Sequence, residues 1–428
     1  MNILVLNQNW FAEEWRAAGH KVYTCGLLEH LDLQLPTAHV HLDQAVALAP
    51  EKFEPDIIVA HDNSGPIVVT GLEDTEIPVI FYSVDTHHHH AIHKYLAHLF
   101  DHTFVAQKDY ITQFAEVGST AEWLPLWASR HIEASSDKRY EAVFVGNLNK
   151  ELNPHRVWFF DELNKFTKVD TRIGKWWEIF PYSEIVVNQT VKGDLNFRVF
   201  EAMMSGAMLL TEKSPNGLFD LFEEDKHLAT YPQLNPNVAA EKIQYYLANK
   251  SLARDIGHAG REEILKKHTP QIRAQTFMDL FPKIQKKQSP VKFLAASANY
   301  CDLGRRAETI DTNVSMRAYL SAMKCLDTAI SKQELMDTQL ACYAVCTCLK
   351  YDHFLKTGAG NELLNRAGEA YPDEPILKIA KLRNYLNQGQ YELATQIAGT
   401  ISLSPPAQIF AQSEEVIRMI LDGKSFCL

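Results

Sequence analysis

Between Met1 and Phe281 the chain alternates short apolar runs with amphipathic stretches. NILVLN is a β-branched and apolar run and predicts a strand. WFAEEWRAAGHKVYTCG then predicts a helix, a stop at Gly19 and a second strand. DIIVAHD and PVIFYSVD predict buried strands, and TFVAQ and EWLPLW continue the series. Strands that alternate with helices imply a parallel sheet covered on both faces. A polar linker follows, ASRHIEASSDKRYE, and the pattern restarts. AVFVGNL predicts a strand, a helix begins at Pro154, and EIVVNQ fits a helix end or a strand. NFRVFEAMMSG, AMLLTE and the runs VAAEKIQYYLANK and SLARDIGHAGREEILKKH predict helix, strand and two further helices. KIQKKQSPVK is a second charged linker, beyond which helical periodicity takes over, from about Ser315. The expected architecture is therefore α/β, with two Rossmann-like domains followed by an all-α C-terminal domain. The expected bounds are 1–135, 136–285 and 292–428.

Within the helical part, Ala367, Ala370, Tyr371 and Pro372 precede one helix that carries Ala380. Gly389 marks a turn before Tyr391 and Ala394. Pro405 follows Pro372 by about one 34-residue tetratricopeptide period. Small residues at these positions let paired helices approach closely. A tetratricopeptide-like hairpin and a generic helical bundle both fit.

A length of 428 residues suits two or three domains. The apolar fraction of 46% and the charged fraction of 22% are ordinary for a soluble protein. The net charge of -11 argues against a general nucleic-acid binder, which needs a cationic face. It leaves room for a local phosphate pocket. No basic n-region opens the chain and no apolar run approaches a membrane span, so the expected location is cytoplasmic. None of the seven cysteines forms a CxxC pair. Cys342, Cys346 and Cys348 read as buried small hydrophobes of a reduced compartment rather than zinc ligands.

The chemistry concentrates in GDLNFRVFEAMMSGAMLLTE. A polar loop meets a helix with Arg198 and Glu201 in its first turns, and Gly206 closes that helix before a buried strand. A helix N-terminus offers free N–H groups to a phosphate. Arg198 can add a bidentate cation and Glu201 can accept two hydroxyls, as from a ribose. A surface Arg–Glu pair is the plain alternative. DTHHHHAIH, residues 85–93, is the second unusual stretch. His89 and His93 stand at i, i+4, but no third ligand completes a metal set, and no metal or cofactor is expected. Asn7, Gln8 and Asn9 stand where a dinucleotide fold carries G-x-G-x-x-G, which argues against a nicotinamide or flavin enzyme.

NFRVFEAMMSGAMLLTE resembles the donor-binding segment of GT-B glycosyltransferases, and is closest to the CgeB-like (spore maturation protein-like) group. VFVGNLNKELNPHR resembles the opening strand and glycine loop of their second domain. HTFVAQKDYITQFAEVGSTAEWLPLWA resembles the end of the first, and YYLANKSLARDIGHAGREEILKKHTPQIR the closing helices. The resemblance covers roughly residues 1–285. It implies a GT-B fold, a nucleotide-sugar donor such as a UDP-sugar, and no need for a metal. Gly146, Asn196, Arg198 and Glu201 would hold the nucleotide, with Lys150 and Arg156 as further phosphate candidates. In this reading DTHHHHAIH follows a first-domain strand at the cleft. Asp85 or His87 then serves the reacting centre, because a histidine of ordinary pKa of about 6.5 suits a general base. His61 and Asp62 end another strand beside the same cleft. Many retaining relatives carry a glutamate eight positions before the ribose-binding one. Here that position is Gly193, with Asp194 beside it, which leaves the stereochemistry open.

The resulting expectation is a metal-independent glycosyltransferase acting on a protein or glycan acceptor, with a possible protein partner on the helical tail. The alternatives are a catalytically inactive nucleotide-sugar-binding scaffold and, from the histidines alone, a metal-dependent hydrolase.

Overall fold

The computed structural model describes residues 1–50, 52–334, 352 and 358–401. Cys342, Cys346, Cys348 and Pro405 lie outside the described residues. Fourteen strands are formed among those described: β1 (Asn2–Leu6), β2 (Lys21–Gly26), β3 (Leu33–Gln34), β4 (Val40–His41), β5 (Ile57–His61), β6 (Val69–Thr70), β7 (Val79–Ser83), β8 (His102–Val105), β9 (Glu122–Trp123), β10 (Tyr140–Val145), β11 (Asp170–Arg172), β12 (Ser183–Asn188), β13 (Met208–Glu212) and β14 (Ala229–Tyr231). EIVVNQ thus resolves as a strand, while only Glu122–Trp123 of EWLPLW pairs.

A seven-stranded sheet has the order β3-β2-β1-β5-β7-β8-β9 and a five-stranded sheet the order β11-β10-β12-β13-β14. All pairings are parallel. Each order reverses beside its first strand, between β1 and β5 and between β10 and β12. Such switch points open a crevice at the strands' C-terminal ends, where α/β proteins bind ligands.

The strands are apolar on both sides, as parallel strands buried under helices must be. One face of the first sheet, Ile3, Val5, Val59, Ile80 and Tyr82, joins one core with Val143, Val145 and Val186 of the second sheet. The other face of the second sheet, Phe144, Ile185, Val187 and Leu210, packs under the helices Pro154–Leu163 and Pro236–Ala248.

The helices beyond the second linker do not stand apart. Helix Lys292–Ala307 lies in one core with Leu4, Leu6, Ile58, Ala60 and Phe81 of the first sheet, and helix Thr312–Ser331 packs against it there. Phe293 through Gly304 are all buried. Even its polar side chains Ser297, Asn299 and Asp302 are buried, so this part of the helix is covered all round. The second unit also reaches back: Trp15 donates to the carbonyl of Ala274, and Phe277 packs on Phe11 and Trp15. Cys25, Cys301 and Cys325 are buried. Among the described residues no helix is long and apolar enough to cross a membrane.

Candidate active site between the two sheets

Asn196 starts the helix Phe197–Met204 from an extended conformation without capping it. The helix stops at Gly206, whose positive φ of 73° suits glycine and lets the chain turn into β13. On its first turn Arg198 points back across the sheet's switch point. Its Nε donates to the carbonyl of Val145 at 2.9 Å and its Nη1 to Asn188 Oδ1 at 2.7 Å. The guanidinium lies 4.4 Å from the centroid of Phe144. Gly146 makes this possible, since a Cβ there would collide with Arg198 and Phe144. Burial, and then the neighbouring Arg156, lower the Arg198 pKa to about 10, so it remains a cation.

Arg156 lies on the other approach to the Phe144 ring, 5.6 Å from its centroid. It is buried, donating to the side chain of Gln189 at 3.0 Å and to its carbonyl at 3.2 Å. It lines a cleft of 660 Å³ with Gln189, Thr190, Gly193, Glu212 and His88. Glu212 shapes the floor: its carboxylate accepts the Thr190 N–H and hydroxyl and the Leu234 N–H. Glu201 sits one turn beyond Arg198 and accepts the hydroxyl of Ser129 at 2.7 Å. Burial raises its pKa. Lys150 is exposed in the loop after β10; of the nucleotide-site candidates only Arg156 lines this cleft, while Gly146, Asn196, Arg198 and Glu201 sit behind it.

The first unit meets this cleft at His88, and the residues just before it in the chain form a buried network behind that contact. Asp85 precedes the histidine helix Thr86–Leu96 and accepts a hydrogen bond from the Ser64 hydroxyl. Asp62, buried, accepts the N–H groups of Ser64, Val84 and Asp85 at 2.8, 3.1 and 2.8 Å. Burial and the nearby Asp85 raise its pKa. His87 is buried, and its Nε2 stands 3.9 Å from Asp194 Oδ2 of the second unit. Burial lowers the His87 pKa to about 4, which keeps the ring neutral near pH 7. Its Nδ1 has no protein partner. His88 is exposed, and His93 is buried, bonded through Nδ1 to the Ser83 hydroxyl at 2.8 Å. Among the described residues no three His, Cys, Asp or Glu side chains are grouped to hold a metal ion. His61 faces away, into an aromatic nest of Trp10, Phe11, Tyr82 and Phe277.

The structure therefore brings Asp85 and His87 to one side and Asn196, Arg198, Arg156, Gly146 and Glu201 to the other. Asp194, which misses the expected spacing by one, lies where the two units meet. It accepts the Val191 N–H at 2.6 Å and the Asn196 amide at 3.3 Å, and meets His87. Gln107 was not foreseen either. Its amide pairs with both backbone groups of Leu195, at 2.8 and 3.3 Å, and so ties the first sheet to the loop before Arg198.

Residues 133–279 match the family model described as glycosyl transferase-like, so the chain carries a glycosyltransferase domain. No curated protein matches the sequence. Among solved structures, Anabaena HepE in complex with UDP-glucose superimposes with a TM-score of 0.50 at 12% identity, over 66% of this chain and 100% of that one. Sucrose-phosphate synthase from Thermosynechococcus elongatus gives 0.48 at 12% identity, over 66% and 98%. TarM, known from S. aureus, gives 0.40 at 13%, over 53% of this chain and 54% of its own, so the chain spans about half of that protein. The parallel-sheet α/β fold is that of GT-B glycosyltransferases.

Proposed function

We propose that this protein transfers a sugar from a nucleotide-sugar donor, a UDP-sugar, to a hydroxyl on a protein or glycan acceptor without a bound metal. Residues 1–135 form the acceptor side and 136–285 the donor side. The observation that carries the reading is the pair of guanidinium groups, Arg156 and Arg198, set about Phe144 beside an uncapped helix N-terminus at a sheet's switch point. Two fixed cations and free N–H groups suit the charge that develops on a departing diphosphate. Glu201 is placed one turn on, where it can exchange its Ser129 bond for ribose hydroxyls. On the first unit, next to His88 of the cleft, neutral His87 with its free Nδ1 and the carboxylate of Asp85 are the groups available to orient or deprotonate an acceptor hydroxyl. A protein partner or protein acceptor is assigned to the tetratricopeptide-like helices Ala359–Ala370, Pro375–Asn387 and Tyr391–Ala398.

Incubation with a panel of nucleotide sugars, with and without chelator, tests the assignment. Turnover of one donor, unaffected by chelation, is expected. Tight UDP binding with no turnover of any donor would favour a scaffold, and loss of activity on chelation a metal enzyme. His87→Ala should lower turnover at least tenfold while leaving UDP affinity unchanged, as for a group acting mainly in the transition state.

A further inference from the structure

We propose that Asn299 and Arg306 are positioning residues for the acceptor-side wall: they hold the segment 62–72, and through Ser64 they fix the carboxylate of Asp85. What Asp85 does rests on the transferase reading; how it is held rests on contacts of the helix Lys292–Ala307.

Beyond the Asp62 N–H, bound by the Tyr82 carbonyl, and the pairing of residues 68–70 with β4, the segment 62–72 has no strand partner for its backbone groups, and buried backbone groups need one. The helix supplies partners along its length. Asn299, itself buried, accepts the N–H of Ile67 and donates to its carbonyl, both at 3.0 Å. A side-chain amide here replaces a neighbouring strand. The Tyr300 hydroxyl accepts the N–H of Gly71 at 3.2 Å and donates to Glu73 at 2.7 Å. Two turns after Asn299, Arg306 donates to the carbonyl of Ser64 at 3.4 Å, and Asp302 steadies its Nε at 2.8 Å.

Ser64 is the link to the cleft. Its φ of 58° is left-handed, a conformation that a serine keeps only where its surroundings hold it. Its N–H is bound by Asp62, its hydroxyl by Asp85 and its carbonyl by Arg306. Asp62 in turn binds the N–H groups of Val84 and Asp85. The loop and the start of the histidine helix are therefore one hydrogen-bonded unit, anchored from outside by a helix more than 200 residues later in the chain.

A double-mutant cycle on the full-length protein tests this, read out in donor turnover, UDP affinity and hydrogen exchange of residues 62–86. Arg306→Met should lower turnover about fivefold, the kinetic equivalent of one hydrogen bond, with unchanged UDP affinity. Arg306→Lys should recover part of the loss. In a Ser64→Ala background, where the link to Asp85 is already cut, Arg306→Met should cost little more. Asn299→Asp, which keeps the acceptor for Ile67 and loses the donor, should speed exchange across 62–72. Strictly additive losses, or an equal fall in UDP affinity, would make Arg306 a general structural residue and overturn the proposal. Were the wild-type protein to turn over no donor, the transferase reading would fail on its own, and exchange would still decide the anchoring. Unchanged exchange in both Arg306→Met and Asn299→Asp overturns it.

Discussion

At the scale of single residues, position 146 is the most sharply constrained. A methyl group there would fall on the Arg198 guanidinium and the Phe144 ring. Gly146→Ala should displace Arg198 from Val145 and Asn188, at an overpacking cost of about 1–3 kcal/mol. Calorimetry should then find UDP binding weakened roughly tenfold, the equivalent of about 1.4 kcal/mol. Unchanged affinity with an unchanged melting temperature would remove Arg198 from the nucleotide site. Asn196, Arg198 and Glu201 were legible in the sequence because they share consecutive turns of one amphipathic helix. Gln107 and Asn299 were not, because each acts on a partner far along the chain and leaves no local period; Asp194 has local hydrogen bonds to Val191 and Asn196, but its approach to His87 is not local. For Asp194 the signal was an acid one place from the expected one.

At the scale of elements, the histidine helix is built to stay neutral. Burial lowers His87 and His89 to about 4 and His93 to about 3, and does the same to His61 and His268, each to about 3. Unfolded histidines titrate near 6.5, so between about pH 6.5 and 4 the unfolded chain binds more protons than the folded one. Stability present above about pH 6.5 is therefore lost as the pH falls towards 4. The raised carboxyls of Asp62, Asp194, Glu201 and Glu334 act in the opposite sense, but they are fewer. Melting temperature measured across this range should fall steeply, and a flat profile would mean that these rings are not held neutral. The elements themselves were largely legible: β1, β5, β7, β10 and β13 lie on the apolar runs that predict them. The short strands β3, β4 and β6 were missed, since two-residue strands carry no alternation to read.

At the scale of the whole molecule, the second linker is a break in composition but not in packing. Taken alone, the polar linker and the expected bounds 136–285 and 292–428 imply that deletion after Gln288 leaves two folded domains. The structure places Phe293, Leu294, Tyr300, Leu303 and Leu326 in the core of the first sheet. Each such side chain contributes roughly 1.5–3 kcal/mol when fully buried, so together they rival a net stability of about 5–15 kcal/mol. Truncation at Gln288 should give an insoluble or largely unfolded chain; a soluble fragment with a cooperative melting transition would contradict this. The clue was in KFLAASANYCDLGRRA, where between Lys292 and Asp302 no side chain is charged and most are small or apolar, too few polar groups for a surface helix.

That arrangement also dictates an order of events on the ribosome. The first sheet is made early, yet the helix that closes one of its faces follows more than 200 residues later. At about 5–20 residues per second, that face waits roughly 10–50 s for its cover. The second sheet, whose strands and helices are contiguous in the chain, completes sooner. The protein should therefore mature from its middle outwards, and its nascent N-terminal third should be a client of chaperones until translation has passed Ser331.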